Sequence, residues 1–147
     1  MAEQKGQPFS VRFAKGTDLY MEEEARRLRR SKSSIVEEFA EETAKLRRFP
    51  GIIFHGGTVT ERRAHVVGTG LDVWELCMLV DDYGSAEAVV EDFPKVTERH
   101  CRLALAYRLA YPDEIDSFIA GNRRPLDEME ALYPWVDWSA ARQRAGG

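Results

Sequence analysis

The sequence has few of the features that mark secreted or membrane proteins. It holds two cysteines among its 147 residues, too few for a disulfide framework, so we expect Cys77 and Cys101 to be reduced core residues. No apolar run approaches the length of a membrane span, and the first ten residues lack the apolar core of a signal peptide. We therefore expect a cytoplasmic protein that has no membrane partner.

Catalytic and metal-binding motifs are also missing. The three histidines and two cysteines include no pair at the spacing C-x-x-C or H-x-x-x-H, and there is no Walker loop or serine nucleophile motif. The acidic residues form no pattern that indicates acid–base catalysis. The segment Gly68-Thr69-Gly70 precedes a helical pattern but lacks the rest of a nucleotide-binding motif. We therefore expect a protein that is not an enzyme, with structural histidines, no cofactor and no metal site.

Charge is unevenly distributed along the chain. The net charge is −4, but residues 1–34 hold eight Lys/Arg against five acids and so carry +3, which leaves −7 for the remainder. This balance argues against non-specific coating of nucleic acid and permits a local DNA-binding surface, which a dimer would double. An alternative for the arginine-rich residues 26–30 is a solvated helix face that pairs with the acids at 22–24.

The first third of the chain reads as one strand and two helices. Val11 and Phe13 alternate with Ser10 and Arg12, which predicts a short strand. Helical spacing follows over residues 19–28, after an N-cap at Thr17 or Asp18, and over 35–46, after a polar break at 31–34. This segment cannot bury enough apolar surface alone, and its strand has no partner within the segment. Two chains that pair their strands and interlock their helices would meet both needs.

This pattern resembles the ribbon-helix-helix family of bacterial and archaeal DNA-binding proteins, which includes many antitoxins. The resemblance rests on SVRF, on its spacing to SKSSIVEEF and on the apolar pattern. It implies a homodimer whose paired strands read base edges in the major groove of operator DNA, while amides at the start of the second helix face a phosphate. The sequence departs from the family pattern in two places. The strand carries only one strong base-reading side chain, and AKGTD stands where the first helix usually begins with a proline and an acidic residue. The implied DNA-binding residues are Ser10, Arg12, Ala14, Lys15, Ser31, Lys32 and Ser33. Alternatively, the module only dimerises the chain.

The rest of the chain reads as a small hairpin followed by helices. Phe49-Pro50-Gly51 breaks the second helix, and β-prone runs at 52–54 and 64–67 predict a hairpin with a loop through 58–63. Asp72, Ser85 and Thr97 are candidate caps of three helices, of which the second and third flank a tight turn in a helix-turn-helix pattern. We therefore expect a mainly α chain: a ribbon-helix-helix module (1–47), a hairpin plus homeodomain-like helical domain (48–122) and a tail (123–147).

Residues 66–116 resemble a family of small homeodomain-like domains that are taken to be antitoxin components beside PIN-like ribonuclease toxins. The matched positions are Gly68, Thr69, Val73, Trp74, Asp82, Tyr83, Gly84, Ser85, Thr97, Ala104, Ala106, Tyr107, Pro112, Glu114 and Ile115. With the N-terminal module, the whole chain resembles a VapB-type antitoxin, which implies neutralisation of a PIN-like toxin and repression of its own operon. Acidic residues around the helix-turn-helix pattern favour a protein contact there over DNA. The alternatives are a stand-alone transcriptional regulator with a ligand-sensing or oligomerising C-terminal domain, and an adaptor that binds no DNA.

The tail is rich in the residue types that dominate interface energies. Seven large apolar side chains fall within residues 126–138, and a short helix is predicted over 127–132. The resemblance implies that arginines of the tail pair with the acidic active site of the toxin. The implied toxin-binding residues are Arg123, Arg124, Leu126, Met129, Leu132, Tyr133, Trp135, Trp138, Arg142 and Arg144. Alternatively, the tail folds back onto its own domain.

Overall fold

The computed structural model describes residues 4–56 and 62–146, and they form a mainly helical protein, as predicted. Within these residues no helix combines the length and the apolar character that crossing a membrane requires. The helices are α1 (Lys15–Leu28), α2 (Lys32–Arg48), α3 (Val73–Tyr83), α4 (Ala86–Asp92), α5 (Glu98–Ala110), α6 (Pro112–Asn122), α7 (Leu126–Leu132) and α8 (Ser139–Ala145). The strands are β1 (Ile52–His55), β2 (Arg63–Val66) and β3 (Leu71–Asp72).

The N-terminal module, residues 4–48, consists of an irregular segment and the helix pair α1–α2. Met21 and Ala25 of α1 pack with Ile35 of α2 in a small apolar cluster that is separate from the main core. The predicted helix pair is confirmed, and Ser31 caps α2 as expected, because its Oγ accepts a hydrogen bond from the backbone N–H of Ser34 at 3.1 Å.

The predicted start of α1 is wrong by several residues. The helix begins at Lys15, and the N–H of Asp18 already donates to the carbonyl oxygen of Ala14 at 2.9 Å. Asp18 therefore lies inside the first turn, where a carboxylate interacts favourably with the positive end of the helix dipole. Neither Thr17 nor Asp18 acts as the cap.

The segment predicted to be a strand, Ser10–Phe13, has no regular secondary structure in the single chain. A β-strand is defined by hydrogen bonds to a neighbouring strand, and no such neighbour exists among the described residues. Phe13 packs against the small cluster, while the side chain of Val11 is 54% exposed. Pairing of this segment with a second copy stays a prediction.

The predicted hairpin is confirmed, and a third strand completes its sheet. Strands β1 and β2 are antiparallel with Ile52 opposite Val66, and β2 pairs with β3 so that His65 lies opposite Asp72. Side chains alternate across the sheet: Ile52, Ala64 and Val66 face the core, whereas His55, Arg63 and His65 lie on the outer face. Most of the predicted hairpin loop, 58–63, lies outside the described residues. The two-residue β3 was not predicted.

Helices α3 to α6 and the inner sheet face form the main core of what we call the central domain, residues 52–122. Cys77 and Cys101 are buried and unpaired in this core, as predicted. Ser85 and Thr97 cap α4 and α5 through their hydroxyl oxygens, and Asp72 occupies the N-cap position of α3. Helix α6 ends at Asn122, and Arg123 takes its C-cap position.

The end of α2 contacts the central domain. The Nζ of Lys45 lies 3.1 Å from the Oε2 of Glu114, and the Nη1 of Arg48 donates to the hydroxyl of Tyr111 at 2.9 Å. Glu114 also accepts a hydrogen bond at 2.9 Å from the hydroxyl of Tyr107, which is fully buried. The helix pair is therefore attached to the central domain through one end of α2.

The tail, residues 123–146, contains the expected helix α7 and a second helix, α8, that was not predicted. No residue of α7 is buried. Its apolar side chains belong to neither apolar cluster of the described residues.

Candidate functional surfaces

The predicted base-reading side chains are accessible to a ligand. Ser10, Arg12, Ala14 and Lys15 are all exposed. Arg12 and Lys15 have no ion-pair partner within 4–56 and 62–146. The charges of these two side chains are therefore available for a phosphate or a base edge.

At the start of α2, by contrast, two of the predicted DNA-binding residues already have partners within the chain. Ser31 uses its hydroxyl oxygen as the helix cap. Lys32 ion-pairs with Asp18 and, at 3.2 Å, with Glu22, and the hydrogen bond that Lys32 donates to Asp18 is the main cause of a raised Lys32 pKa. Two carboxylates of α1 thus already interact with the Lys32 ammonium, whereas Ser33 remains exposed.

The arginine-rich end of α1 divides into paired and available residues. Arg27 makes two hydrogen bonds to the Glu24 carboxylate, at 2.9 and 2.7 Å, so the alternative of a salt-bridged helix face holds for this residue. Arg30 is bonded to Ser34 and Glu38. Arg26 and Arg29 are exposed, with no ion pair in the described part of the chain. Counting Arg12 and Lys15, the described residues 4–34 present four such cations.

The tail has a similar division among its four arginines. Arg123 ion-pairs with Asp82, and Arg142 with Glu130. Arg124 and Arg144 are exposed, and neither has a carboxylate partner in the described residues. Two of the predicted toxin-binding arginines are therefore available to a partner, and two are held within the chain.

The aromatic side chains of the tail form a locally ordered surface. The rings of Tyr133 and Trp135 meet edge to face with centroids 5.8 Å apart, and the indole N–H of Trp138 donates to the carbonyl oxygen of Tyr133 at 3.1 Å. Trp135 is 77% exposed. The predicted residues Leu126 and Met129 are half-buried, while Leu132 and Tyr133 are exposed.

The outer face of the sheet holds a group of side chains that we call the His–Asp cluster: His55, His65 and Asp72. The Nε2 of His55 contacts the Oδ1 of Asp72, and the Nδ1 of His65 lies 3.0 Å from the same oxygen. The Nε of Arg63 lies 3.0 Å from the other carboxylate oxygen, Oδ2. Asp72 is nearly buried, with 9% of its side chain exposed.

Electrostatics keep Asp72 ionised despite its burial. Burial alone raises the pKa of a carboxyl group, but hydrogen bonds from His55 and His65 and the charge of Arg63 outweigh that effect and lower the Asp72 pKa. By contrast, His100 has the structural role expected for it, because its Nδ1 accepts the backbone N–H of Thr97 at 3.1 Å.

Comparisons with protein-family models, curated proteins and solved structures give no match. The two resemblances noted in the sequence therefore remain predictions.

The sequence motifs around the three histidines did not predict the His–Asp cluster. The two cluster histidines converge because the register that pairs Ile53 with His65 and His55 with Arg63 places both on one face. Asp72 joins them through pairing of β3 with β2. The available signal was that the two facing strands of the predicted hairpin each place a histidine near their partner. Predicting that these two side chains converge required the strand register.

Proposed function

We propose that this chain is the antitoxin of a toxin–antitoxin pair and represses its own operon. Its N-terminal module dimerises and binds operator DNA, and its C-terminal part holds a PIN-like ribonuclease toxin inactive. The observation that supports this most directly is the unpaired segment without regular secondary structure, residues 10–14, that precedes two helices with only a small apolar cluster of their own.

Exposed apolar surface on the N-terminal module supports dimerisation. The side chain of Phe9 is 87% exposed, and those of Val11, Leu19 and Tyr20 are at least half exposed. Covering apolar surface is favourable by about 25 cal/mol per Å². Antiparallel pairing of residues 10–14 from two copies supplies the missing strand neighbour and covers part of this surface.

The distribution of free cations supports DNA as the ligand of the dimer. Arg12, Lys15, Arg26 and Arg29 are exposed in each copy, and their charges double in a dimer. If about six phosphates are neutralised, the logarithm of the binding constant should fall with the logarithm of salt concentration with a slope near −5.

The exposed side chains of the tail support the second part of the proposal, the binding of a protein partner. The tail exposes aromatic side chains at Tyr133 and Trp135 and carries two arginines, Arg124 and Arg144, that have no carboxylate partner in the described residues. Aromatic and arginine side chains are the residue types that most often anchor interfaces, and a guanidinium pairs bidentately with carboxylates. An acidic ribonuclease active site matches this chemistry.

The test is co-purification with the product of the adjacent gene. The full chain should form a stable complex with a toxin-sized neighbour, suppress its ribonuclease activity and retard the DNA that lies upstream of its own gene. DNA binding without a neighbouring partner would support the stand-alone regulator instead. Toxin binding without DNA binding would support the adaptor, and the absence of both would refute the proposal.

A further inference from the structure

We propose that His55, His65 and Asp72 bind a divalent transition-metal ion, for which zinc(II) is the best match. The ligand atoms of these three side chains all lie within 4.8 Å of one another. This proposal does not depend on the proposed antitoxin function, and the site lies outside the N-terminal module and the tail.

The set of donor atoms suits zinc. Two imidazole nitrogens and one carboxylate oxygen are the ligands of many open zinc sites, in which a fourth position is left for water or a partner group. Ligand atoms of tetrahedral zinc lie about 3.3 Å apart, given bonds of about 2.05 Å. The Nδ1 of His65 and the Oδ1 of Asp72 are already 3.0 Å apart. Separations in the set extend to at most 4.8 Å, so rotation of the histidine side chains would have to close the widest gap by up to about 1.5 Å to reach tetrahedral spacing.

The backbone holds the three side chains on regular structure. His55 and His65 lie on paired strands, and Asp72 lies opposite His65 in the ladder and at the N-cap position of α3. The carboxylate of Glu75 accepts the backbone N–H of Asp72 at 2.8 Å and thereby fixes this position. Sites built on strands and helix ends bind with less reorganisation than sites built on loops.

Arg63 contacts the carboxylate oxygen that the histidines do not. Its Nε lies 3.0 Å from Oδ2 as an ion pair, without a hydrogen bond, whereas both histidines face Oδ1. Oδ1 is therefore the oxygen that would bind the ion. Without metal, the imidazoles donate N–H groups to Oδ1. With metal, each neutral ring keeps its hydrogen on the other nitrogen and turns a lone pair toward the ion.

The site is open to solvent on one side. The side chain of His55 is 43% exposed and that of His65 is 20% exposed, whereas Asp72 is nearly buried. An ion can therefore enter beside His55, and its fourth ligand position would face the same direction.

The test is titration of the untagged full chain with zinc(II), followed by calorimetry, and with cobalt(II), followed by visible absorption. We expect about one zinc per chain and the intense visible bands of four-coordinate cobalt. His55→Ala, which removes the most exposed ligand, and His65→Ala should each weaken binding about tenfold or more, since loss of even an outer-shell partner has an effect of that size. The matched control, His100→Ala, removes a histidine outside the cluster and should bind like the parent chain.

Three results would overturn the proposal. One is the absence of saturable zinc binding by the parent chain. A second is unchanged binding in a folded His55→Ala variant, since exposure of His55 makes this the variant that disturbs packing least. The third is an equal loss in His100→Ala, which would point to adventitious coordination by surface imidazoles. In the first two cases the cluster is only a hydrogen-bond network that joins the hairpin to α3.

Discussion

Replacement of Arg12 with alanine should separate DNA binding from folding. Arg12 is exposed and has no ion pair in the described residues, so the change should alter the free energy of unfolding by less than about 0.5 kcal/mol. A dimer loses two guanidinium groups. If each makes a bidentate contact with a base, the loss is about 1–3 kcal/mol per copy. Since about 1.4 kcal/mol corresponds to tenfold, operator affinity should fall by roughly 30-fold or more.

Salt dependence distinguishes a base contact from a phosphate contact. Loss of a base contact leaves the slope of log affinity against log salt unchanged, whereas loss of one phosphate contact per copy reduces its magnitude by about 2 per dimer. The assay is fluorescence anisotropy with a labelled duplex from upstream of the gene, over a series of salt concentrations. Lys95→Ala is the charge-matched control, because Lys95 is exposed and lies in the turn between α4 and α5. Unchanged affinity and slope in Arg12→Ala, or equal losses in both variants, would refute the assignment of residues 10–14 as the base-reading segment.

Three further predictions concern the tail, the cysteines and the cap of α2. Deletion of residues 123–147 should weaken inhibition of the toxin without changing operator affinity, and a deletion variant that inhibits as well as the full chain would contradict this. Burial raises the pKa of Cys77 to about 12 and also raises the pKa of Cys101. A thiol reagent near pH 8 should therefore label neither residue until the chain unfolds. Rapid labelling of the native protein would contradict the burial of these two thiols. Ser31→Ala removes the cap hydrogen bond and should lower the free energy of unfolding in urea by about 1 kcal/mol at fixed protein concentration, while Ser33→Ala, outside the cap, should not.

Local signals predicted most of the central domain correctly. Ser85 and Thr97 each precede a helix and accept a backbone N–H three residues later, which is the contact that makes these residue types good caps. The hairpin followed from β-prone runs on either side of a glycine-containing turn. The same reasoning gave the wrong cap at Thr17. Helix α1 begins earlier, because Lys15 and Gly16 form part of its first turn.

Features that depend on long-range contacts were harder to predict. The two-residue strand β3 exists because Leu71 and Asp72 pair with β2, and no periodicity is detectable over two residues. The His–Asp cluster depends on this pairing and on the hairpin register, which the sequence of the loop did not determine. At the N-terminal module, the alternation of Val11 and Phe13 predicts a strand, but the described residues of the single chain supply no hydrogen-bond partner for it, and its pairing with a second copy stays a prediction.

The most direct test of the central claim is the mass of the full chain by sedimentation equilibrium at micromolar concentration, with hydrogen exchange measured on the same sample. The proposal predicts a mass twice that of the 16.8 kDa chain and slow amide exchange at residues 10–14, where two copies pair. A mass of 16.8 kDa, with α1 and α2 protected from exchange, would mean that one chain completes its own N-terminal module, and would contradict the paired strand and the repressor function proposed from it.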